Sequence, residues 1–425
     1  MRATAKFIRE IILGWGCMGL IVLPPAFALQ PGDVVTAANV DTVADQLSPG
    51  LQWCVEHGMQ MTIVPYQRVE VPKAYATASE QFAGQVKLLD GGRRLEGYVA
   101  GLPFPKIDPA DPDAAVKIMW NFSYRPWYTD DYAWKNARVE TGNITPTGFH
   151  VERGYTLRES GRLYYNGRLF VDPKPELPNP DRIRFKEILG PFLEPLDLKG
   201  IGSLTYRFLN EEEQDRTWLY MPALRRVRRL SSAQRSDAIF GQDTDLDSYY
   251  GYSGNIAWFK WRFLGEKTML ANFHTQHSLT QWCPGNGEFA FCDNWEPRQL
   301  YVVEGIPATP QYAYSKRLIY IDKETFQCTY MDAYDPAGRL WRMWIQNIRM
   351  TKRLSNHPTA VVYPEEQAFG PAFMMVDVQL SHATRGWAPT QASVTGEEEF
   401  LNVGGERAGI PESFYEVSHL IAVGR

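Results

Sequence analysis

The sequence lacks an excess of positive charge. It has 44 Lys and Arg residues against 49 Asp and Glu residues, so its formal net charge is -5 at pH 7. A protein that binds nucleic acid needs a basic surface that neutralises the phosphates. This class of function is therefore excluded, and no nucleic acid is expected among the partners.

The short motifs of common enzyme classes are missing as well. The chain has no GxSxG elbow, no phosphate-binding P-loop, no GxGxxG and no HExxH motif. Acidic residues are plentiful, but nothing marks two of them as the carboxylate pair of a glycoside hydrolase. We therefore predict that the protein is not an enzyme and that it has no cofactor.

Long apolar runs are missing except near the N-terminus. Three basic residues precede an apolar run at residues 11–22, and Ala26 and Ala28 then occupy the small positions of an A-x-A cleavage site. The run is shorter than the roughly 20 residues of a membrane-spanning helix. Residues 1–28 therefore have the layout of a secretory signal peptide, which predicts export to the periplasm and cleavage after Ala28. The residues before Cys17, LGWG, fit a lipid-modified cysteine poorly.

Cysteines are few, and four of them follow the predicted signal peptide. No CxxC pair occurs, so neither a zinc knuckle nor a thioredoxin-like site is expected. Cys283 and Cys292 enclose PGNGEFAF, whose proline and glycines favour a turn that would bring the thiols together. In an oxidising compartment this predicts a Cys283–Cys292 disulfide. Cys54 and Cys328 could form a second bridge, but four cysteines allow three connectivities.

Two stretches invite a metal-site interpretation. In HTQH, His274 and His277 have a spacing that suits two ligands on one helical face, but no third ligand is evident. The stretch DTDLD, with Asp243, Asp245 and Asp247, has alternating oxygen ligands but lacks the glycine and the terminal glutamate of a calcium loop. We predict no metal site, and we expect the three carboxylates to lie in a solvated loop near the arginines that precede them.

What the sequence does contain is a change of pattern near residue 135. Helical spacing predominates before it, in TAANVDTVADQL, LQWCVEHG, PKAYATASEQFAGQV and DAAVKIMWNFSY. Short alternating runs follow, such as TYRFL, where Tyr206 and Phe208 share one face and Arg207 points to the other. We predict an α+β, mainly β fold: a large curved antiparallel sheet whose concave face is covered by helices, in a single domain over residues 29–425.

Two stretches carry a family resemblance. They are DRIRFKEILGPF through GSLTYRFLNEEEQDRTWLYMPALRRVRRLSS, within residues 181–254, and RLIYIDKETFQCTYMDAYDPAGRLWRMW, residues 317–344. With the signal peptide and the long antiparallel run, they resemble an uncharacterised family of large bacterial envelope proteins related to the outer-membrane lipoprotein-sorting factors LolA and LolB. The resemblance implies an unclosed antiparallel β-barrel with helices over a hydrophobic cavity. It also implies a periplasmic carrier or acceptor of a lipid, a sterol-like or an acylated molecule.

Four arginines among five residues form the densest block of positive charge, in LRRVRRL. Arg226 and Arg228 would point to one face of a strand, and Arg225 and Arg229 to the other, so neither face is apolar. This predicts an edge strand. The guanidinium groups either contact an anionic headgroup or a partner protein, or they pair with the carboxylates that follow and protect an exposed edge.

Strand alternation also suggests which residues line a cavity. Trp218 and Tyr220 share one face of their strand, and Trp341 and Met343 share one face of theirs. We predict that these four side chains contact the hydrophobic ligand. An envelope exporter or an outer-membrane protein is the expected protein partner.

A second class of function stays open on the sequence. The chain has 13 Trp and 22 Tyr residues, whose rings could stack on sugars. The protein would then be a periplasmic glycan-binding protein or a polysaccharide hydrolase. A purely structural envelope protein is the third alternative, and a completely filled core would favour it.

Overall fold

The computed structural model describes residues 30–126, 130–230, 235–277, 280–352, 362–387, 398–401 and 411–425, with only the backbone described for 398–401. The predicted signal peptide, residues 1–28, lies outside these ranges and stays a prediction.

Helices lie at the two ends of the described chain. They are α1 (Pro49–Glu56), α2 (Lys73–Phe82), α3 (Ala114–Ser123) and α4 (Val417–Gly424). The first three lie where helical spacing predicts them. Helix α1 begins with a proline, and Ser48 caps it by accepting a hydrogen bond from the Leu51 N–H at 3.2 Å. The segment before α1, which its spacing predicts as a helix, forms a 3₁₀ helix, Val40–Gln46, that follows Asn39.

The strands fill most of the remaining chain. In chain order they are β1 (Val34–Val35), β2 (Met61–Ile63), β3 (Lys87–Leu89), β4 (Arg94–Glu96), β5 (Asp131–Thr145), β6 (Gly148–Tyr164), β7 (Ile183–Leu189), β8 (Phe192–Glu194), β9 (Gly202–Phe208), β10 (Arg216–Met221), β11 (Arg226–Leu230), β12 (Phe259–Ala271), β13 (Asp293–Pro307), β14 (Lys316–Asp322), β15 (Cys328–Tyr334), β16 (Leu340–Thr351), β17 (Gln367–Asp377), β18 (His382–Trp387) and β19 (Glu398–Leu401). The stretch NIAWFKWRFLG is a short 3₁₀ turn followed by β12.

The large sheet is antiparallel along its main ladder and has two halves. One half runs β5, β6, β7, β9, β10, β11, and the other runs β12 to β18 in chain order. Pairing of β5 with β18 joins the halves. In the described part of the chain β11 pairs only with β10, and β12 pairs only with β13. These two strands are therefore the edges of an open sheet, and the prediction of an unclosed, mainly β fold is confirmed.

The two faces of the sheet are covered by different parts of the chain. We call inner the face that contacts α3 and residues 235–258, because this unit touches both halves: Arg184 of β7 donates to the Ser123 carbonyl oxygen at 2.9 Å, and Arg317 of β14 donates to Ser248 Oγ at 3.0 Å. Helix α1 packs on the outer face of the second half, and α4 on that of the first. The N-terminal helices thus divide between the two faces, whereas the sequence predicts them on one.

A disulfide fastens part of the outer covering. Cys283 and Cys292 are bonded, as their turn-rich loop predicts. Phe289 and Phe291 inside this loop are fully buried in the cluster that contains α1. Cys54 and Cys328 are buried free thiols and do not pair with each other. In the described ranges, no helix is long and apolar enough to cross a membrane.

Candidate functional site

Buried ion pairs, and not an empty apolar cavity, occupy much of the inner face. Asp215 bridges two arginines: its Oδ2 lies 2.8 Å from Arg207 Nη2 and 2.9 Å from Arg235 Nη1. Arg235 Nε lies 2.6 Å from Asp247 Oδ1. Burial alone would raise the pKa of Asp215, but Arg207 and Arg235 outweigh it and hold this pKa below its ordinary value. The network attaches residues 235–258 to β9 and β10.

The acidic stretch DTDLD belongs to this buried network, so the predicted solvated loop is wrong. Asp243 accepts from His382 Nδ1 at 2.8 Å, and Asp245 accepts from the Tyr314 hydroxyl at 2.6 Å. Both carboxylates are almost fully buried. They cannot neutralise the exposed arginine block because they already have partners inside the protein. In the ranges described, no three His, Cys, Asp or Glu side chains cluster as metal ligands would.

An open cleft of about 670 Å³ lies beside the hairpin β3–β4, and we call it the hairpin cleft. The hairpin forms a separate two-stranded sheet, with its turn at Asp90–Gly92. Its other walls are the end of α3, the loop after β6 and the turn between β9 and β10. The residues that line it are Leu89, Arg94, Leu95, Glu96, Gly97, Tyr98, Val99, Trp120, Tyr124, Asn166, Pro175, Glu176, Arg182, Leu209, Asn210 and Glu211.

Aromatic rings and one ion pair form the inner wall of the hairpin cleft. The rings of Tyr98 and Tyr124 lie 3.9 Å apart, and the guanidinium group of Arg184 lies 4.1 Å from the Tyr124 ring centre. Arg184 Nη1 is 3.4 Å from Glu211 Oε1, and both side chains are buried. Burial raises the pKa of Glu211, although Arg184 and Arg207 oppose this shift. The wall therefore combines aromatic surface with an ion pair that carries little net charge.

A second cavity, of about 490 Å³, lies beside the edge strand β12, and we call it the edge pocket. Trp258, Phe259 and Tyr312 supply most of its apolar wall. The residues that line it are Arg93, Gln214, Arg235, Asp247, Ala257, Trp258, Phe259, Ala308, Thr309, Gln311 and Tyr312. The Arg235–Asp247 ion pair, together with Arg93, Gln214, Thr309 and Gln311, thus adds polar groups to a pocket whose exposed wall is largely apolar.

The sequence-predicted cavity residues on β10 lie on the outer face, under α4. Trp218 and Tyr220 do share one face, as alternation predicts. Tyr220 is buried against Leu420 of α4, and Trp218 packs edge-to-face on Tyr206 with ring centres 4.8 Å apart. These contacts are the packing of a filled core at this position.

The predicted pair on β16 lies on opposite faces, so the assignment of Trp341 and Met343 to one face is wrong. The ladder between β15 and β16 has a bulge at Trp341: Arg342 pairs with Ala333, and Leu340 pairs with Tyr334. One extra residue reverses the side chain. Trp341 therefore packs with the inner-face cluster, where Tyr314 contacts it.

Met343 is fully buried on the outer face. Its Sδ lies 3.2 Å from Cys54 Sγ of α1. None of the four predicted residues lines the hairpin cleft or the edge pocket. Their contact with a ligand stays a prediction, and both of these cavities lie elsewhere.

The arginine block forms the tip and outer strand of the β10–β11 hairpin, which we call the basic hairpin. Arg225 has φ of 49°, so it lies in the turn and not in the strand as predicted. Arg226, Arg228 and Arg229 lie on β11, an edge strand as predicted. All four arginines are exposed, and the described carboxylates form no ion pair with any of them. Leu224, also exposed, precedes them at the tip.

Sequence reasoning missed the residues that form the cavity walls, although one signal was present. In TYRFL, Arg207 alternates with aromatic residues, which predicts that it points away from them. The structure has this alternation, but the side of Arg207 is the buried inner face and not solvent. A charged residue on each of several neighbouring strands, as with Arg162, Arg184 and Arg207, is the pattern that a buried polar face would produce.

Comparison with known proteins identifies a family. The family model described as protein of unknown function (DUF1329) matches residues 34–402. Uncharacterized protein PA3922 of Pseudomonas aeruginosa is 26% identical over 335 residues, covering 75% of this chain and 70% of that protein.

Two solved structures are also similar. A domain from Vibrio parahaemolyticus assigned to outer membrane lipoprotein sorting has 16% identity and a TM-score of 0.49, covering 73% of this chain and 100% of that chain. A DUF1329 family protein from Desulfovibrio piger has 15% identity and a TM-score of 0.45, covering 72% of this chain and 95% of that chain. Because the family model matches most of its residues, the chain belongs to the DUF1329 family of proteins of unknown function.

Proposed function

We propose that the protein is a non-enzymatic periplasmic carrier or acceptor, which holds the hydrophobic part of a lipid or acylated molecule in the edge pocket. The observation that carries this proposal is an open cavity with a largely apolar wall at the edge of the unclosed sheet. Its volume of about 490 Å³ falls within the range of about 300–1,000 Å³ that is usual for ligand pockets.

The arrangement of the edge pocket suits an amphiphile. Trp258 and Phe259 offer apolar surface, while Ala257 and Ala308 leave space that larger side chains would fill. The ion pair between Arg235 and Asp247 supplies a polar end, and it is held in place by Asp215. An aliphatic chain gains about 0.8 kcal/mol for each buried CH₂ group, so binding needs no covalent chemistry.

The sequence supports the location and the kind of partner. The predicted signal peptide places the mature protein in the periplasm, and the resemblance to lipoprotein-sorting factors favours transport between envelope membranes. A lipid or a hydrophobic small molecule is then the cargo, and an envelope exporter or an outer-membrane protein is the partner that delivers or accepts it.

Filling the edge pocket should block the cargo. We expect the purified full chain to bind a dansyl-labelled fatty acid saturably, and Ala308→Trp to weaken this binding at least tenfold, because an indole ring would occupy the space beside Trp258. Ala308 is exposed at the pocket mouth, so the substitution leaves the core intact. Fluorescence titration measures the affinity.

Ala337→Trp is the matched control, since Ala337 is exposed in the β15–β16 turn and does not line the pocket. It should bind the probe as the natural chain does. The proposal fails if the natural chain binds no apolar probe and carries no lipid in native mass spectrometry after isolation from its own envelope. Equal affinity of both tryptophan variants would also contradict the edge pocket as the site.

In the proposed function, the basic hairpin is the part of the protein that contacts an anionic surface. Arg226 and Arg228 project to one side and Arg229 to the other, with exposed Leu224 at the tip. A cationic group beside an anionic membrane contributes about 1 kcal/mol, so four arginines offer about 4 kcal/mol. Charges that project in several directions suit an extended anionic surface better than one stereospecific acidic pocket.

Replacing the four arginines, 225, 226, 228 and 229, with glutamine should therefore weaken binding to phosphatidylglycerol vesicles at least tenfold. Binding of the dansyl fatty acid should not change. Removing four dispersed, exposed lysines, Lys73, Lys87, Lys106 and Lys267, lowers the net charge equally and is the control. Vesicle co-sedimentation at low and high salt measures the effect, which salt should screen. Equal loss in both variants would attribute the binding to net charge and not to the hairpin.

A further inference from the structure

The hairpin cleft carries polar atoms that the protein does not satisfy. Glu211 Oε2 and Asn166 Oδ1 are acceptors, and Arg184 Nε is a donor; each is buried and none has a hydrogen-bond partner in the part of the chain that the structure describes. Glu211 and Asn166 line the cleft, and Arg184 contacts Glu211 and Tyr124 on its inner wall. Buried polar atoms without partners are costly, so native proteins keep few of them. These three atoms lie together beside one open cleft, where a bound ligand is in a position to supply the missing partners.

The positive and negative charges around the cleft balance, and this limits the charge of a ligand that the cleft can bind. Inside, Arg184 pairs with Glu211. Four further charged residues line the cleft, two of each sign: Arg94, Arg182, Glu96 and Glu176. An anion or a cation would meet as much repulsion as attraction there. A neutral ligand with many hydroxyl groups meets no such conflict, because each hydroxyl group both donates and accepts hydrogen bonds.

The aromatic wall also favours a ligand of a particular shape, one with a flat apolar face. The rings of Tyr98 and Tyr124 contact each other with their planes tilted by 34°, and both are held in place: the Tyr98 hydroxyl donates to the Gly101 carbonyl oxygen at 3.1 Å, and Arg184 lies over Tyr124. Rigid aromatic surface beside hydrogen-bonding groups is the combination that binds a sugar ring, whose C–H face is apolar and whose edge carries hydroxyl groups. The cleft volume of about 670 Å³ accommodates more than one such ring.

We infer that the hairpin cleft is a binding site for a neutral, polyhydroxylated sugar group, with Glu211 and Asn166 as acceptors for its hydroxyl groups and Tyr98 as an aromatic wall. This site is distinct from the edge pocket and goes beyond the proposed carrier function. Arg93 lines the pocket and its neighbour Arg94 lines the cleft, so hairpin β3–β4 lies between them. The sugar is either free or the headgroup of a glycolipid whose chain enters the edge pocket.

Titrations with lactose, chitobiose and octyl glucoside below its micellar concentration, followed by tyrosine and tryptophan fluorescence, test the inference. At least one should bind saturably. Glu211→Gln should weaken that binding about tenfold, and Asn166→Leu should weaken it by a similar factor without disturbing the Arg184–Glu211 pair. Glu213→Gln changes a partly exposed residue of the same β9–β10 turn that does not line the cleft, and it should leave the binding unchanged.

The two sources of the sugar are separated in the Ala308→Trp variant, whose edge pocket is filled. Unchanged sugar affinity there supports a free saccharide, whereas loss of octyl glucoside binding with weak residual sugar binding supports a glycolipid. The inference is overturned if no sugar binds saturably, which would mean that water alone satisfies the cleft. It is also overturned if Glu211→Gln and Asn166→Leu both bind like the natural chain. Binding of the dansyl fatty acid reports on the carrier proposal separately, so either proposal can fail alone.

Discussion

Replacing Asp215 with asparagine is expected to destabilise the folded chain by about 3–5 kcal/mol, because it removes one charge from a buried ion-pair network and leaves its partners behind. Asp215 Oδ2 lies within 2.9 Å of both Arg207 and Arg235, and all three side chains are almost fully buried. An asparagine amide carries no charge to offset these two guanidinium groups, which are almost fully buried. Chemical denaturation at pH 7 measures the change in unfolding free energy.

The pH dependence gives the same prediction a second readout. The pKa of Asp215 is held below its ordinary value of 3.8, so its contribution to stability is present above that value and is lost as the pH falls through the folded-state pKa. The Asp215→Asn variant should not show this loss of stability at acidic pH. Asp197→Asn is the control, since its carboxylate is 64% exposed and pairs with Arg153 at the surface. An exposed pair contributes about 0–1 kcal/mol.

The same substitution should affect the edge pocket. Arg235 lines this pocket, and Asp215 is one of its two carboxylate partners. We therefore expect weaker binding of the dansyl fatty acid in Asp215→Asn even where the variant remains folded. A change of less than 1 kcal/mol in unfolding free energy, with unchanged binding, would show that the network is not what holds residues 235–258 on the sheet.

The open antiparallel sheet could be predicted from the sequence because local signals specify it. Alternation marks each strand, and glycine, proline, asparagine and aspartate mark the turns between them. The arginine block predicts an edge strand because arginines occupy both of its faces, so neither face could be buried. Strand β11 is the last strand of its half of the sheet. Helices α1 to α3 follow from their apolar spacing. These features depend on neighbours in the chain, which the sequence displays directly.

The errors arise where one residue changes the register or where distant residues meet. The bulge at Trp341 moves its indole ring to the inner face, and nothing in RLWRMWIQ marks that extra residue. Asp243 contacts His382, and Asp245 contacts Tyr314 and Arg317, only when the sheet brings these distant residues together. A run of carboxylates therefore predicts a solvated loop, because the local sequence does not show the distant partners that allow the carboxylates to be buried.

Neither cavity could be located from the sequence, since each wall combines segments far apart in the chain. The hairpin cleft joins Tyr98, Tyr124, Asn166 and Glu211 from four separate elements. The edge pocket joins Arg93 of the hairpin to Trp258 and Ala308. Periodicity predicts which side of a strand is buried, but it does not predict where the covering segments leave space.

A buried carboxyl group on the outer face should make stability depend on pH near neutrality. Asp332 of β15 is fully buried beneath the start of α1. The hydroxyl groups of Ser48 and Tyr320 donate to it at 3.2 and 3.3 Å, and in the described chain no Lys or Arg side chain forms an ion pair with it. Burial raises the pKa of Asp332 from 3.8 to about 7, against the lowering effect of these hydrogen bonds.

The sign of the effect follows from this upward shift. The folded chain binds the proton more tightly than the unfolded chain, so the contribution to stability is complete below about pH 4 and is lost as the pH rises through about 7. A difference of about three pKa units corresponds to about 4 kcal/mol. Asp332→Asn keeps an acceptor for Ser48 and never ionises. We therefore expect the variant to be more stable than the natural chain at pH 8, by up to about 4 kcal/mol, with little difference at pH 4.

Chemical denaturation from pH 4 to pH 8 tests this prediction, because the two stability curves should diverge between those limits. Asp237→Asn, at an exposed carboxylate, should run parallel to the natural chain at every pH. Asp332→Ala should be less stable at pH 4, since it leaves Ser48 and Tyr320 without their acceptor. If Asp332→Asn is less stable than the natural chain at pH 8, then Asp332 is ionised and stabilising in the folded chain. Its contacts with Ser48 and Tyr320 would then hold α1 on the sheet as bonds to a charged group.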